Sequence, residues 1–349
     1  MYAVDGAFLT QRVSGIQRYS LELLAEIDKQ IRPGGLELIV PEGVKAPPYQ
    51  RIRVVEYGNR SGMAWEQLDY PTYLRTNGRL GLCTCNVIPL KGFRGIAVVH
   101  DVCYRARPDF YTTSRARLSA AWHKLQYRAI ARTCQQIVTV SQFSRRELKK
   151  YYGVSPDRVT VVPNAWQHME RIRADETVFS RWPKLERGKY YFSMSNLMKN
   201  KNFPWVLQAA KHKPNTIFAI AGGGDLAAAA GEKGLQIPGN VLCLGYVSDG
   251  EAKALMANCK AFLFPTLYEG FGIPPLEAIA CGAPRVLVSD TPCMREVYGS
   301  HADYIELDVN HGSVDDVIPG HDAAGVLARY SWEKSAGILL DLLRRTDTN

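Results

Sequence analysis

The sequence predicts an α/β protein of two doubly wound, Rossmann-like domains facing a cleft. Three observations predict it. At 349 residues the chain exceeds what one comfortable hydrophobic core serves. Short apolar runs alternate with helical periodicity through both halves, the pattern of parallel crossover units. Charge also divides the chain: residues 1–188 hold 29 Lys/Arg and 17 Asp/Glu, and the remainder holds 14 and 17. A basic N-terminal half and a slightly acidic C-terminal half imply separate duties. The expected domains are 1–175 and 189–330, followed by a terminal amphipathic helix within 331–349. The polar, aperiodic stretch 164–188 is the expected linker.

Composition narrows the class. A hydrophobic content of 46% and a charged content of 22% fit a soluble globular protein. No run approaches the roughly 18 apolar residues of a membrane span. No secretory signal pattern opens the chain. The eight cysteines are scattered, and the close pair Cys83 and Cys85 has no second pair to complete a zinc site. Reduced thiols, a cytoplasmic setting and no metal are the expectations.

The N-terminal half reads as strand and helix in alternation. Tyr2–Val4 is strand-like, and a polar loop follows to Ser14. Tyr19, Leu23, Leu24 and Ile27 then recur at helical spacing. Gly15 therefore sits at a helix N-terminus, where a ligand contact and a plain cap are both open readings. Leu36–Val40 and Ile52–Tyr57 read as strands, while 58–95 gives no assignable pattern. Gly95–Val99 is a buried strand ending in His100-Asp101. In open parallel sheets ligands gather at carboxyl ends of strands, which favours His100 as a functional group. Arg115–Arg132 reads as a long helix with Leu118, Ala121, Trp122, Leu125 and Ala129 inward and a basic face outward. That face suits an anionic membrane surface or plain solvent. Gln136–Val140, a helix opened by Ser141, and Val159–Val162 complete the half.

The C-terminal half repeats the rhythm. Tyr190–Met194 is a strand, followed by the polar loop Ser195–Asn202 with Lys199 and Lys201. After a helix and the strand Thr216–Ala221 come Gly222-Gly223-Gly224, a weak nucleotide signal without the full dinucleotide fingerprint. Val241–Tyr246 and a helix capped by Ser248 lead to the strand Ala261–Phe264. The stretch EGFGIPPLE, Glu269–Glu277, follows. Its glycines admit close backbone approach, and its prolines suit a first helical turn. A glycine loop opening a helix binds anions, yet two glutamates flank it. Phosphates and hydroxyls on one ligand would reconcile the two.

Leu244–Asp290, LGYVSDGEAKALMANCKAFLFPTLYEGFGIPPLEAIACGAPRVLVSD, resembles the retaining glycosyltransferases of family four, which have the GT-B fold. Glu269 and Glu277, eight positions apart, match that family's paired-glutamate motif. SGIQRYS, the His100-Asp101 pair, VSQFSRRELKKYYGV and VVPNA occur in the family's order, so the resemblance covers most of the chain. Within the family the sequence is similar to bacterial mannosyl- and rhamnosyltransferases of surface polysaccharide synthesis (O-antigen, capsule or exopolysaccharide).

The resemblance implies a donor nucleotide-diphospho-sugar, with GDP, UDP and dTDP all open, and no further cofactor. It also implies that the C-terminal helix packs back toward the N-terminal domain. Glu269 would bind donor sugar hydroxyls, and the amides of Gly270, Phe271, Gly272 and Ile273 would cradle the diphosphate. Glu277 would take the ribose. Lys201 would neutralise the leaving diphosphate, assisted by Ser195 or Asn196, while Tyr246 and Val247 would border the base. His100 would sit near the donor sugar, and Gly15 would admit acceptor and diphosphate to the first helix. The arginine that many relatives carry before the lysine is absent, and Arg145 or Arg146 is the expected substitute.

The sequence lacks Asp-x-Asp, a metal–diphosphate signature of the other main glycosyltransferase fold, so fixed cations are expected to replace a metal. The acceptor is expected to be a glycan or a lipid-diphosphate-linked oligosaccharide at the inner face of the cytoplasmic membrane, with peripheral membrane contact through the basic half. Rival readings are a GT-B sugar-nucleotide epimerase, a nicotinamide-dependent oxidoreductase and a basic nucleic-acid-binding protein. Aromatic residues are not interleaved along one basic face, so no nucleic acid partner is expected.

Overall fold

The computed structural model describes residues 1–194, 198–223, 226–232, 234–308 and 312–347. They divide into two compact units. One is Met1–Asn164 with the terminal segment from Trp332, and the other is Ala165–Ser331.

In the first unit, β1 (Tyr2–Asp5), β2 (Leu36–Val40), β3 (Arg53–Glu56), β4 (Leu80–Cys83), β5 (Gly95–Val99), β6 (Gln136–Thr139) and β7 (Val159–Val161) form one sheet, ordered β3-β2-β1-β4-β5-β6-β7. Every neighbouring pair is parallel. Parallel strands are covered on both faces, which is why β2 and β5 are buried along their whole length. The order reverses between β1 and β4, and ligands gather at such a switch point.

The second unit repeats this plan. Strands β8 (Tyr190–Met194), β9 (Ile217–Ala221), β10 (Val241–Gly245), β11 (Ala261–Phe264), β12 (Val286–Ser289), β13 (Asp303–Ile305) and β14 (Val317–Ile318) are ordered β10-β9-β8-β11-β12-β13-β14. Only β14 runs antiparallel to its neighbour among the described strands. Here the switch point lies between β8 and β11.

The terminal helix Trp332–Asp347 belongs to the first unit, as the resemblance implied. Its Trp332, Ala336, Leu339, Leu340 and Leu343 are buried, and Trp332 meets the Tyr19 ring edge-on at 5.9 Å. Ser335 Oγ donates to the Pro163 carbonyl at 2.8 Å, which holds the chain where it leaves the sheet.

Residues 165–188, polar enough to read as a linker, carry helices His168–Arg171 and Thr177–Arg181 and group with the second unit. Buried Met169, Val178 and Leu185 anchor them, three apolar residues too sparse to show a period. The unassigned stretch 58–95 contains a π-helical turn Trp65–Asp69, helix Tyr70–Thr76 and β4. A π turn shifts the side-chain period, which erases the 3.6-residue signal.

The long basic helix departs from the expected orientation. Helix Ser114–Thr133 buries Ala120, Gln126, Tyr127 and Ile130. Leu118 is instead 74% exposed and Leu125 47% exposed. Gln126 sets this rotation: its Oε1 accepts from the Ile88 amide at 3.0 Å, while Tyr127 and Ile130 enter the core. Apolar residues occur on both sides of this helix, so periodicity alone could not choose the buried one.

Candidate active site

The site is built where β8 and β11 diverge. After β8 the chain reaches a short 3-10 turn, Lys199–Lys201, and after β11 it reaches Glu269. Thr266 and Leu267 fasten these two arms. Thr266 Oγ1 donates to the Asn200 carbonyl at 2.9 Å, and the Leu267 amide donates to the same oxygen at 2.7 Å. The fastening brings Lys201 Nζ to 2.6 Å from Glu269 Oε1. Thr266 Oγ1 also lies 2.9 Å from that oxygen. Both side chains of the pair are mostly shielded, so the cation and the carboxylate neutralise each other in a region of reduced dielectric.

Gly270, Phe271, Gly272 and Ile273 follow, and all are buried. Gly272 caps helix Ile273–Ala280 with φ of 79°. A side chain there would be strained because L residues avoid that φ, and its Cβ would also have to displace the Met294 terminal methyl, 2.6 Å away. Buried Tyr298 donates its hydroxyl to the Gly272 carbonyl, fixing the peptide from behind. Phe271 packs edge-on against Tyr330 at 5.1 Å. The glycine turn is thus rigidly held. Pro274 and Pro275 remove two amide donors from the first turn. Any anion at this helix start must therefore use amides from Gly270 to Ile273, a narrower donor set than an ordinary N-terminus offers.

Glu277 lies in the second turn of that helix. Its Oε1 accepts from His168 Nε2 at 2.8 Å. His168 is 1% exposed, so one carboxylate oxygen is held by a buried donor. His168 falls in the supposed linker, where no pattern marks it. The one available signal, a histidine with buried apolar neighbours, does not single it out. Trp166 and Gln167 fix the same segment, donating to the Leu327 and Tyr330 carbonyls at 2.9 and 3.0 Å.

Tyr246 is exposed, Val247 is buried, and Gly245 ends β10 with φ of 68°. Ser248 caps helix Asp249–Asn258 in a capping box with Glu251. Ser195 and Asn196 lie outside the described residues, as does Gly224 of the triple glycine.

In the first unit, Gly15 opens helix Gly15–Gln30 and is exposed. The Ser14 amide donates to Gln17 Oε1 at 3.2 Å, so this end carries a local cap. His100 is 7% exposed at the carboxyl end of β5. Its Nε2 donates to the Thr84 carbonyl at 2.9 Å, and its backbone amide donates to Asn86 Oδ1 at 2.8 Å. Tyr19 meets the imidazole edge-on at 4.9 Å. Burial lowers the His100 pKa from 6.5 to about 4, outweighing the Thr84 bond that raises it. The ring is neutral at pH 7, with Nδ1 as its acceptor nitrogen. Ser141 and Ser144 are structural: Ser141 Oγ caps its helix and Ser144 Oγ donates to the His100 carbonyl at 3.1 Å. The Arg145 guanidinium donates to the Pro156 carbonyl at 2.7 and 3.1 Å.

The buried neutral imidazole has a consequence for stability. Below pH 6.5 the unfolded chain takes up a proton at His100 that the folded protein refuses until about pH 4. Stability is therefore lost as pH falls through that window. Between pH 7 and 4.5 wild type should lose roughly 2–3 kcal/mol more than His100→Gln. Urea titrations of both proteins at the two pH values measure this; parallel losses would show that His100 titrates normally.

Comparison with known proteins covers both units. The model described as "Glycosyl transferases group 1" matches residues 175–315, and "Glycosyltransferase Family 4" matches 13–166. The chain is 27% identical over 255 residues to the O-antigen chain mannosyltransferase RfbU of Salmonella typhimurium, covering 70% of this chain and 67% of that protein. It is 27% identical over 248 residues to O-antigen chain mannosyltransferase B of Escherichia coli, covering 68% and 62%. The matched stretch thus spans about two thirds of the length of these two relatives. The crystal structure of HepE from Anabaena, solved in complex with UDP and glucose, superposes with a TM-score of 0.67 at 14% identity over 99% of this chain and 100% of that one. With matches on both halves, and with its paired glutamates at the switch point of a GT-B-type sheet, the chain belongs to the family-four glycosyltransferases.

Proposed function

We propose that the chain moves a hexose or deoxyhexose, mannose or rhamnose, from a nucleotide-diphospho-sugar to a glycan or lipid-diphosphate-linked acceptor, with retention, in the synthesis of a bacterial surface polysaccharide. The observation that carries this is the Lys201–Glu269 pair beside the glycine turn, with Glu277 oriented by His168 one helical turn further on. Cation, amide cradle and two separated carboxylates match the three parts of such a donor: diphosphate, sugar and ribose. The O-antigen mannosyltransferases among the relatives support the sugar and the pathway class.

In the proposed step the bond from the anomeric carbon to the diphosphate oxygen breaks, and the acceptor oxygen bonds to that carbon from the same face. The acceptor proton passes to the departing phosphate oxygen. Lys201 and the Gly270–Ile273 amides take up the charge that develops on the leaving group. Glu269 binds the hydroxyls of a sugar that is becoming cationic. His100, neutral, contributes an acceptor nitrogen to sugar binding, and Gly15 leaves room for substrate at the first helix. Tyr246 and Val247 border the base, and Ser195 and Asn196 assist Lys201. Fixed cations replace a divalent metal. The site of action is the cytoplasmic face of the inner membrane.

A thermal-shift panel of GDP, UDP, dTDP and their sugars tests this. A nucleotide at a hundred times its dissociation constant adds about 2.7 kcal/mol to the folded state. That corresponds to a rise of roughly 5–10 °C for a unit of this size. Glu277→Ala should abolish the shift, and His168→Leu should reduce it by loosening the carboxylate. A flat panel would reject the donor assignment. Turnover without an acceptor would favour the rival epimerase reading.

A further inference from the structure

We propose that Gln167 and Tyr330 are positioning residues of the donor site, and that the strap they close holds the glycine turn and Glu277 at one fixed spacing, that of a diphosphate and a ribose on one ligand. In this the strap rests on the donor reading above and adds what keeps the two parts of the site in register.

The chain enters the second unit at Ala165 and leaves it at Ser331. The two stretches next to these points are bound together. Trp166 Nε1 donates to the Leu327 carbonyl at 2.9 Å, and Gln167 Nε2 donates to the Tyr330 carbonyl at 3.0 Å. Each stretch then reaches a different part of the candidate site. His168, next to Gln167, donates to Glu277 Oε1 at 2.8 Å. The Tyr330 ring meets Phe271 edge-on at 5.1 Å, inside the run of amides from Gly270 to Ile273. The carboxylate for the ribose and the turn for the diphosphate therefore share one support.

That support is braced on both flanks. Lys253, from helix Asp249–Asn258, donates to the Met169 and Ile172 carbonyls at 2.6 and 2.9 Å. Its cation closes the C-terminal end of the short helix that carries His168. On the other flank, Arg329 donates to the Val297 and Glu296 carbonyls at 3.0 and 3.1 Å, and the Tyr330 hydroxyl donates to the Val297 carbonyl at 3.1 Å. Buried Tyr298 follows Val297 and donates to the Gly272 carbonyl. Phe271 and Gly272, consecutive in the turn, are thus both held from elements that the strap joins. The 3-10 segment Ala323–Arg329 also packs against helix Ile273–Ala280, which carries Glu277. A staple for the chain crossings alone would need only the Trp166 and Gln167 bonds. The contacts on Phe271 and Glu277 go past that need and into the site. Two recognition elements held at fixed spacing spare a ligand the cost of ordering them, and only a ligand that spans both gains in full.

The test is calorimetric titration of the full chain with GDP, UDP and dTDP and with the matching nucleoside monophosphates. Tyr330→Ala should weaken the preferred diphosphate about fivefold, the scale of one aromatic edge contact, and the monophosphate less than about twofold. Tyr330→Phe keeps the ring on Phe271 and should stay within about twofold of wild type for both ligands. Gln167→Met keeps the side-chain length, removes the donor, and should weaken both ligands about threefold, within the range for one lost hydrogen bond. The two changes combined, Tyr330→Ala with Gln167→Met, should weaken the diphosphate by less than the product of the single factors, because either alone already uncouples the turn from the carboxylate. Equal losses of both ligands in Tyr330→Ala, no recovery in Tyr330→Phe, or simple multiplication in the double variant would each overturn the inference. A lowered melting temperature with unchanged affinities would do so too, since a plain staple of the chain crossings behaves that way. Should Tyr330→Ala melt below the assay temperature, Gln167→Met decides, and unchanged affinity there counts against the strap. Wild-type affinity retained in every variant would sink this inference alone. No binding of any nucleoside diphosphate to wild type would sink the donor reading and the strap with it.

Discussion

Glu269→Gln should cut turnover about 10²–10³-fold, the range for removing one preorganised electrostatic contact in an active site. It should leave nucleoside diphosphate affinity unchanged or improved. The two effects separate because Glu269 has two relations. On the proposed mechanism it accepts from the sugar, and its charge matters most as the ring becomes cationic, so neutralising it raises the barrier. Toward Lys201 it is a competitor: the ammonium sits 2.6 Å from its Oε1. A diphosphate must draw Lys201 away from that contact, which costs several kcal/mol of Coulomb attraction at an effective dielectric of about 20. Glutamine keeps the shape, and its amide can donate to Thr266 Oγ1, which lies 2.9 Å from the carboxylate. The fold around the turn is therefore preserved. Calorimetric titration with the nucleoside diphosphate, beside steady-state rates, reads both quantities. A fall in affinity matching the fall in rate would mean that Glu269 only holds the loop.

How far the site could be read from sequence follows from the physics of each part. Buried parallel strands are continuous apolar runs, so β2, β5, β8 and β11 are legible to the residue. The glycine turn is legible because glycine adopts the φ of 79° at Gly272 without strain. Lys201 and Glu269 were both nameable, but their contact was not: 68 positions separate them, and it depends on Thr266 and Asn200 fastening two loops. His168 was invisible for a related reason, since its partner Glu277 lies 109 positions away. The helix Ser114–Thr133 misled in the opposite sense. Its leucines looked like core, but the buried side was chosen by Gln126, a polar residue whose partner is a distant backbone amide. Hydrophobic periodicity reports which side can be buried, and the hydrogen bonds decide which side is.

Lys201→Ala should cost about as much in turnover as loss of the carboxylate, roughly 10²–10³-fold, but it should also weaken nucleoside diphosphate binding. Removing the ammonium strips the leaving group of a cation. It also leaves Glu269 unbalanced, so the site presents net negative charge to a diphosphate. Lys201→Arg should recover part of the loss, since the charge is kept while the reach and geometry change. The decisive variant is the double one. If the pair works as a neutral unit, Lys201→Ala with Glu269→Gln should bind nucleoside diphosphate more tightly than Lys201→Ala alone, because the repelling carboxylate is gone. Turnover should stay as low as in the worse single variant. Non-additivity of that sign is what two contacting residues produce when one binds the leaving group and the other opposes it. Simple additivity in affinity would mean that the 2.6 Å contact breaks in solution and that Lys201 meets the diphosphate without competition.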